Sequence, residues 1–174
     1  LIATRAGVTR EEADRVAVNS QLRAARARAA GYFAGSIVPI ATPAGEARED
    51  ECIRPDITLE WLASMEPAFA KLGAMGVDAY QLAASPGLEA VEHIHTAGNS
   101  PAMADAACLL LLGSADVARM LGAAPRARIA ASVTVAADPL EVLTGCVAAT
   151  RTLLERTGLA ADDVDLYEIH EAFA

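Results

Sequence analysis

A chain of 174 residues can bury one sizeable core, so it is expected to hold one domain or pieces of two. Its formal net charge of -9 argues against a broad nucleic-acid surface or an anionic-membrane surface. Apolar residues make up 53% of the chain and aromatic residues only 4%, so any core must be built mainly from Ala, Leu, Val and Ile.

In chain order, "LIATRAG" has no signal-peptide architecture and no initiator Met, so the natural start is expected upstream of Leu1. Thr9 followed by Glu12 is a capping-box signature, in which each side chain satisfies the other residue's free backbone N–H. The helix it opens should run through "EEADRVAVNSQLRAARARAA" and stop at Gly31. "SIVPI" (36–40) reads as a short strand, placed at a sheet edge by Pro39, and the following "ATPAGEAREDEC" reads as loop. Thr58 can cap a second helix, "LEWLASM", before Pro67, and the stretch from Gly73 to Glu92 reads as Gly/Pro-punctuated and weakly helical.

"AACLLLL" (106–112) is a buried strand or a buried helix turn, since periodicity does not separate the two. It is also the longest apolar run, far below the roughly 20 residues of a membrane helix. Ser114 caps "ADVARML", which Gly122 ends. "ARIAASVTVAAD" then alternates like a strand, "VAATRTLLERTG" is a helix ending at Gly158, and "DVDLYEIH" is a further strand. Alternation of helix and strand indicates an α/β fold. His170 would stand at the end of that last strand, where side chains of α/β sites commonly project.

Several residue groups invite chemistry. His170-Glu171 begins an H-E-x-x-H zinc pattern, but Ala174 stands where the second His would be. His93 and His95 would share a face of a strand, and without further ligands such a pair is more often incidental, so no metal site is expected. Cys52, Cys108 and Cys146 show neither C-x-x-C spacing nor a disulfide framework, which fits a reducing cytoplasm. Cys108 should be buried in its apolar run, with Cys52 and Cys146 in loops. Arg23, Arg26 and Arg28 read as a solvated helix face.

Four stretches occur in order: "GVTREEADRVAVNSQLRAARARAAGYFAGSIVPI", "DECIRPDITLEWLASMEPAF", "HTAGNSPAMADAA" and "ATRTLLERTGLAADDVDLYEIHEAFA". Together they resemble the thiolase family of acetyl-CoA acyltransferases over essentially the whole chain. The segment from Leu72 to Val91 is similar to that of actinobacterial fatty-acid-oxidation thiolases. The resemblance implies part of a layered α/β/α/β/α fold. Residues 1–103 would form a CoA-binding loop domain, 104–122 would finish the N-terminal half, and 123–174 would open the C-terminal half.

The implied reaction cleaves 3-ketoacyl-CoA with CoA to acetyl-CoA and a shortened acyl-CoA, through an acyl-cysteine intermediate. The departing enolate needs preplaced hydrogen-bond donors at its thioester oxygen. On the family pattern His170 is the donor or water holder there, and Ala172 and Phe173 line the pantetheine and acyl channel. Arg54 matches the arginine that approaches the CoA nucleotide, where a planar fork suits phosphate or stacked adenine. Phe69 matches an apolar wall, and Ala97, Asn99 and Ser100 match the loop along pantetheine. CoA and acyl-CoA are implied as substrates, with no permanently bound cofactor. A homo-oligomer (dimer or tetramer) or a subunit of a β-oxidation complex is implied as the assembly.

There are departures. Pro101 stands where the family has a hydroxyl for the pantetheine amide, although Ser100 could supply one from the next position. Asp105-Ala106 replaces Asp-Gly. The family's nucleophilic cysteine would lie upstream of Leu1, and its Gly-His-Pro histidine and second cysteine downstream of Ala174. The chain is therefore expected to be the middle of a thiolase, inactive alone. A degenerate acyl-CoA-binding or assembly module, or a biosynthetic acetoacetyl-CoA thiolase, are the alternatives.

Overall fold

The structure, a computed structural model, describes residues 1–104 and 106–174. They fall into two units, Leu1–Ala104 with Glu171–Ala174, and Asp105–His170.

The first unit begins with α1 (Ile2–Ala6), closed by Gly7 at φ 68, and continues into the 20-residue α2 (Arg10–Ala29). Both halves of the capping box form: the Thr9 N–H donates to Glu12 Oε2 at 2.8 Å, and the Glu12 N–H donates to Thr9 Oγ1 at 3.3 Å. The Thr9 N–H, together with the Thr9 hydroxyl, which also donates to Glu12 Oε2 at 2.8 Å, holds the Glu12 carboxyl below its ordinary value. Glu11 and Glu12 lie in the first turn and Arg26 and Arg28 in the last, the arrangement the helix dipole favours.

Ala13, Asp14 and Ala17 form the buried stripe of α2. Their small side chains let α3 (Leu59–Ala63) approach, and Ala17, Ile57 and Leu62 make the core, flanked by Val18, Met65 and Ala174. Leu62 is 0% exposed. Thr58 caps α3 as its sequence indicates, accepting from the Trp61 N–H at 3.1 Å. The guanidinium of Arg10 crosses from α2 to the carbonyl oxygens of Leu62 and Met65, satisfying acceptors at the end of α3.

The strand expected over 36–40 is displaced. Residues 36–39 are irregular, and a hairpin of β1 (Ile40–Thr42) and β2 (Gly45–Ala47) occupies part of the stretch read as loop, with Ile40 facing Ala47 and Thr42 facing Gly45. Gly45, at φ 126, allows the chain to reverse over two residues, and this local turn decides the pairing. Beyond it come α4 (Ala70–Leu72), a wide turn over Gly73–Val77, and α5 (Asp78–Ala83). Gly73 is buried against the Asp78 carboxylate, which itself pairs with His93 Nε2 at 2.9 Å.

The second unit has α6 (Ala115–Met120), capped by Ser114, and α7 (Gly145–Thr157), ended by Gly158 at φ 70. Its expected strands do not form: the "ARIAASVTVAAD" stretch and 164–170 are irregular, with only a short 3₁₀ turn at Ala161–Asp163, and 106–112 is neither the strand nor the helix turn it could have been. A strand exists only when paired, and the described residues of this unit offer no partner. Leu109 to Leu112 are accordingly 71–95% exposed, and Cys108 is exposed instead of buried. Cys146 lies on α7 and not in a loop. Among the described residues no helix is long and apolar enough to cross a membrane.

Candidate functional site

The segment "IHTAGNSP" (94–101) folds into a tight loop held by bonds within it and by one to α2. The Thr96 N–H donates to Asn99 Oδ1 at 2.8 Å, and the N–H groups of Gly98 and Asn99 donate to Thr96 Oγ1 at 3.2 and 3.4 Å. Short Asn and Thr side chains favour such local bonding to backbone over a sheet ladder. The two amide protons of Asn99 go to Asp14 Oδ1 at 2.7 Å and to the Ile94 carbonyl at 3.1 Å. Thr96 and Asn99 are buried, at 0% and 2% exposed. Gly98 packs directly on Leu62 and Met65, where a Cβ would collide, so the absence of a side chain lets this loop lie against α3.

This loop, α2 and the segment 171–174 enclose a cavity of about 220 Å³. Val16, Ala17, Ser20 and Gln21 form its α2 wall, Gly98 to Pro101 its loop wall, and Glu171, Phe173 and Ala174 the third side. The third side is fastened to the loop, since the Ala174 N–H donates to the Asn99 carbonyl at 3.2 Å. His95 Nε2 lies 3.1 Å from the Ala174 oxygen, a bond that requires the Nε2–H tautomer. The Phe173 ring meets Phe69 edge-on at 5.8 Å between centroids and His95 at 5.1 Å. Ser100 Oγ is buried without a hydrogen-bond partner, alone in that respect among the described side chains. A buried hydroxyl without a partner is costly, and because this oxygen is closed off from the cavity, a turn of the Ser100 side chain is needed to bring it to a bound polar group.

Of the residues singled out in the sequence, Asn99, Ser100 and Phe173 line this cavity, and Phe69 extends its apolar side through Phe173. Ala172 is half-buried next to it in the chain, whereas Ala97 is exposed and does not line it. Arg54 stands apart from the lining. Its N–H donates to Gln21 Oε1 at 2.7 Å, and its guanidinium lies over the Trp61 ring at 5.7 Å. His170 is exposed and belongs to the second unit. Asp105 lies outside the described residues, and Ala106 is exposed. A separate cleft of about 240 Å³, lined in part by Arg28, Phe33, Ile37 and Arg48, holds none of the candidates.

Sequence reasoning missed Asp14 and Gln21, and weighed His95 only as half of an incidental His-x-His pair. Asp14 carried a signal, because an acidic residue sits between Ala13 and Ala17 on the one apolar stripe of α2, four residues after Arg10. Gln21 lies one helical heptad further along the same face.

The thiolase N-terminal domain model matches residues 1–81 and the thiolase C-terminal domain model residues 123–174. The chain is 35% identical over 172 residues to the 3-oxoadipyl-CoA/3-oxo-5,6-dehydrosuberyl-CoA thiolase of Escherichia coli, across 96% of this chain and 38% of that protein. It is 36% identical over 173 residues to a 3-ketoacyl-CoA thiolase of Citrobacter koseri, across 97% of this chain and 40% of that one. Human mitochondrial 3-ketoacyl-CoA thiolase, solved in complex with CoA, superposes with a TM-score of 0.76 at 30% identity, over 98% of this chain and 38% of that chain. Acetyl-CoA acetyltransferase from Syntrophomonas wolfei shares the fold with a TM-score of 0.75 at 24% identity, over 99% and 38%. The chain belongs to the thiolase family, and its structure is part of the thiolase α/β fold. It spans about two fifths of the length of the curated relatives it matches.

Proposed function

We propose that these residues form the CoA-binding portion of a thiolase-type acyltransferase, one that cleaves 3-ketoacyl-CoA with CoA to acetyl-CoA and a shortened acyl-CoA in fatty-acid β-oxidation. The observation that carries this reading is the cavity on α2, with Phe173 on its apolar side and the unpartnered Ser100 hydroxyl in its wall. A cavity whose walls mix apolar side chains with the hydroxyls of Ser20 and Ser100 suits a pantetheine arm, which is mostly methylene and carries isolated amides.

In this reading Phe69, Ala172 and Phe173 exclude water along the arm, and Ala97, Asn99 and Ser100 belong to the loop beside it. Ser100 supplies the hydroxyl that Pro101 does not. Arg54, with its guanidinium over Trp61, offers its charge to the nucleotide end. His170 donates to the thioester oxygen as the enolate of acetyl-CoA departs, lowering the barrier because the donor is placed before charge develops. On the family pattern the acyl group is carried by a cysteine that none of Cys52, Cys108 and Cys146 matches, so in this reading these residues do not turn over alone. Residues 1–103 serve as loop domain, 104–122 end the N-terminal half and 123–174 begin the C-terminal half. The intact protein works without a permanent cofactor in the cytoplasm, as a dimer, tetramer or β-oxidation complex subunit.

A second reading, a non-catalytic acyl-CoA-binding module, is favoured by one observation: Pro101 itself lines the cavity and offers no donor. Two measurements on the full-length gene product test both readings. Calorimetric titration of CoA should give micromolar binding that weakens on Arg54→Ala and on Phe173→Ala. Thiolysis of a 3-ketoacyl-CoA, followed at the enolate absorbance, should proceed and be slowed by His170→Ala. Binding without thiolysis selects the module, and absence of binding overturns both.

A further inference from the structure

We propose that Asp14 is a positioning residue for the CoA cavity, acting through Asn99. The inference rests on the reading of that cavity given above. Asp14 is 3% exposed on the buried face of α2, where a carboxylate is costly unless both oxygens are engaged. One oxygen, Oδ2, takes the Arg10 Nε–H at 2.8 Å. The other, Oδ1, accepts from Asn99 Nδ2 at 2.7 Å, across 85 positions of chain. Arg10 meanwhile donates to the carbonyls of Leu62 and Met65, so one buried ion pair joins α2, the end of α3 and the 94–101 loop.

Both amide protons of Asn99 and one lone pair of its Oδ1 are used within the protein, so its side chain is committed to holding the loop. Its backbone carbonyl also holds Ala174, next to Phe173. A shift of Asn99 therefore moves two walls of the cavity at once, that of Ser100 and that of Phe173. An apolar side chain at position 14 would fill the space without the desolvation cost, but it would leave the Asn99 amide without its acceptor and the loop without its register.

The test is calorimetric titration of CoA into the full-length gene product and four variants. Asp14→Asn removes the charge that the Asn99 amide and Arg10 both face, and should raise the Kd about tenfold by displacing the loop. Asn99→Asp sets two carboxylates against each other and should weaken binding further. The double variant Asp14→Asn with Asn99→Asp restores a donor–acceptor pair with its polarity reversed, and should bind more tightly than Asn99→Asp alone. Thr9→Ala, which lowers the melting temperature through α2 without touching the network, should leave the Kd unchanged.

Wild-type affinity in Asp14→Asn, or a double variant no better than Asn99→Asp, overturns the proposal while the cavity reading stands. If Asp14→Asn fails to fold, the comparison of Asn99→Asp with the double variant decides. A wild-type protein that does not bind CoA removes the cavity reading and this inference together.

Discussion

Gly98→Ala isolates the close approach that shapes the cavity. A Cβ there would overlap Leu62 Cδ2, lie 2.7 Å from Met65 Sδ and touch Trp61 Cζ3 at 3.5 Å. Gly98 does not occupy the left-handed region, so the substitution adds no backbone strain and acts through packing alone. Met65 is half-buried and can give way, but Leu62 is fully enclosed in the core and cannot do so cheaply. Overpacking of this kind costs about 1–3 kcal/mol. Against it stands a gain of about 0.4–1 kcal/mol from the stiffer unfolded chain.

The net loss should be up to about 2.6 kcal/mol, which for a unit of roughly a hundred residues lowers the melting temperature by up to about 10–21 °C. Gly35→Ala is the matched control. A Cβ at position 35 would have nothing within 4 Å and the φ there is ordinary, so only the unfolded-chain gain applies and the melting temperature should hold or rise. Thermal unfolding followed by circular dichroism reads both, and adding Met65→Ala should recover part of the Gly98→Ala loss, because the two sites share one contact. A Gly98→Ala melting temperature equal to that of Gly35→Ala would refute the argument that the loop is seated directly on α3.

Leu62→Ala should cost about 2–5 kcal/mol in chemical denaturation, since the side chain is fully enclosed between α2 and α3. Thr9→Ala should cost about 0.5–2 kcal/mol by opening the capping box. The same box has a pH signature. Because Glu12 is held below its ordinary value, its contribution is complete above that value, about 4.3, and is lost as the pH falls through the lowered one. Helical ellipticity should therefore show an acid step that shrinks in Glu12→Gln, and an unchanged step would remove Glu12 from the account. Phe173→Leu should loosen the contact with Phe69 by about 0.5–1.5 kcal/mol, read from a double-mutant cycle with Phe69→Leu.

What could be read from sequence alone was local in origin. The Thr9–Glu12 box, the Thr58 and Ser114 caps and the Gly158 stop all form between near neighbours in the chain, so the identities of those neighbours are enough to specify them. Family membership was legible for a similar reason, because "HEAFA" is a short contiguous run inside the stretch that the C-terminal domain model matches. The alternating stretches of the second unit were read as strands and are irregular here, since alternation records a half-buried surface while a strand needs a partner that no local pattern supplies. Tertiary structure alone decided that Asp14 meets Asn99, that Phe69 meets Phe173, and that the 94–101 loop and the 171–174 segment close one cavity on α2. Those contacts join residues far apart in the chain, 85 positions in the case of Asp14 and Asn99. They form only because the small faces of Ala13, Ala17 and Gly98 let distant backbones approach.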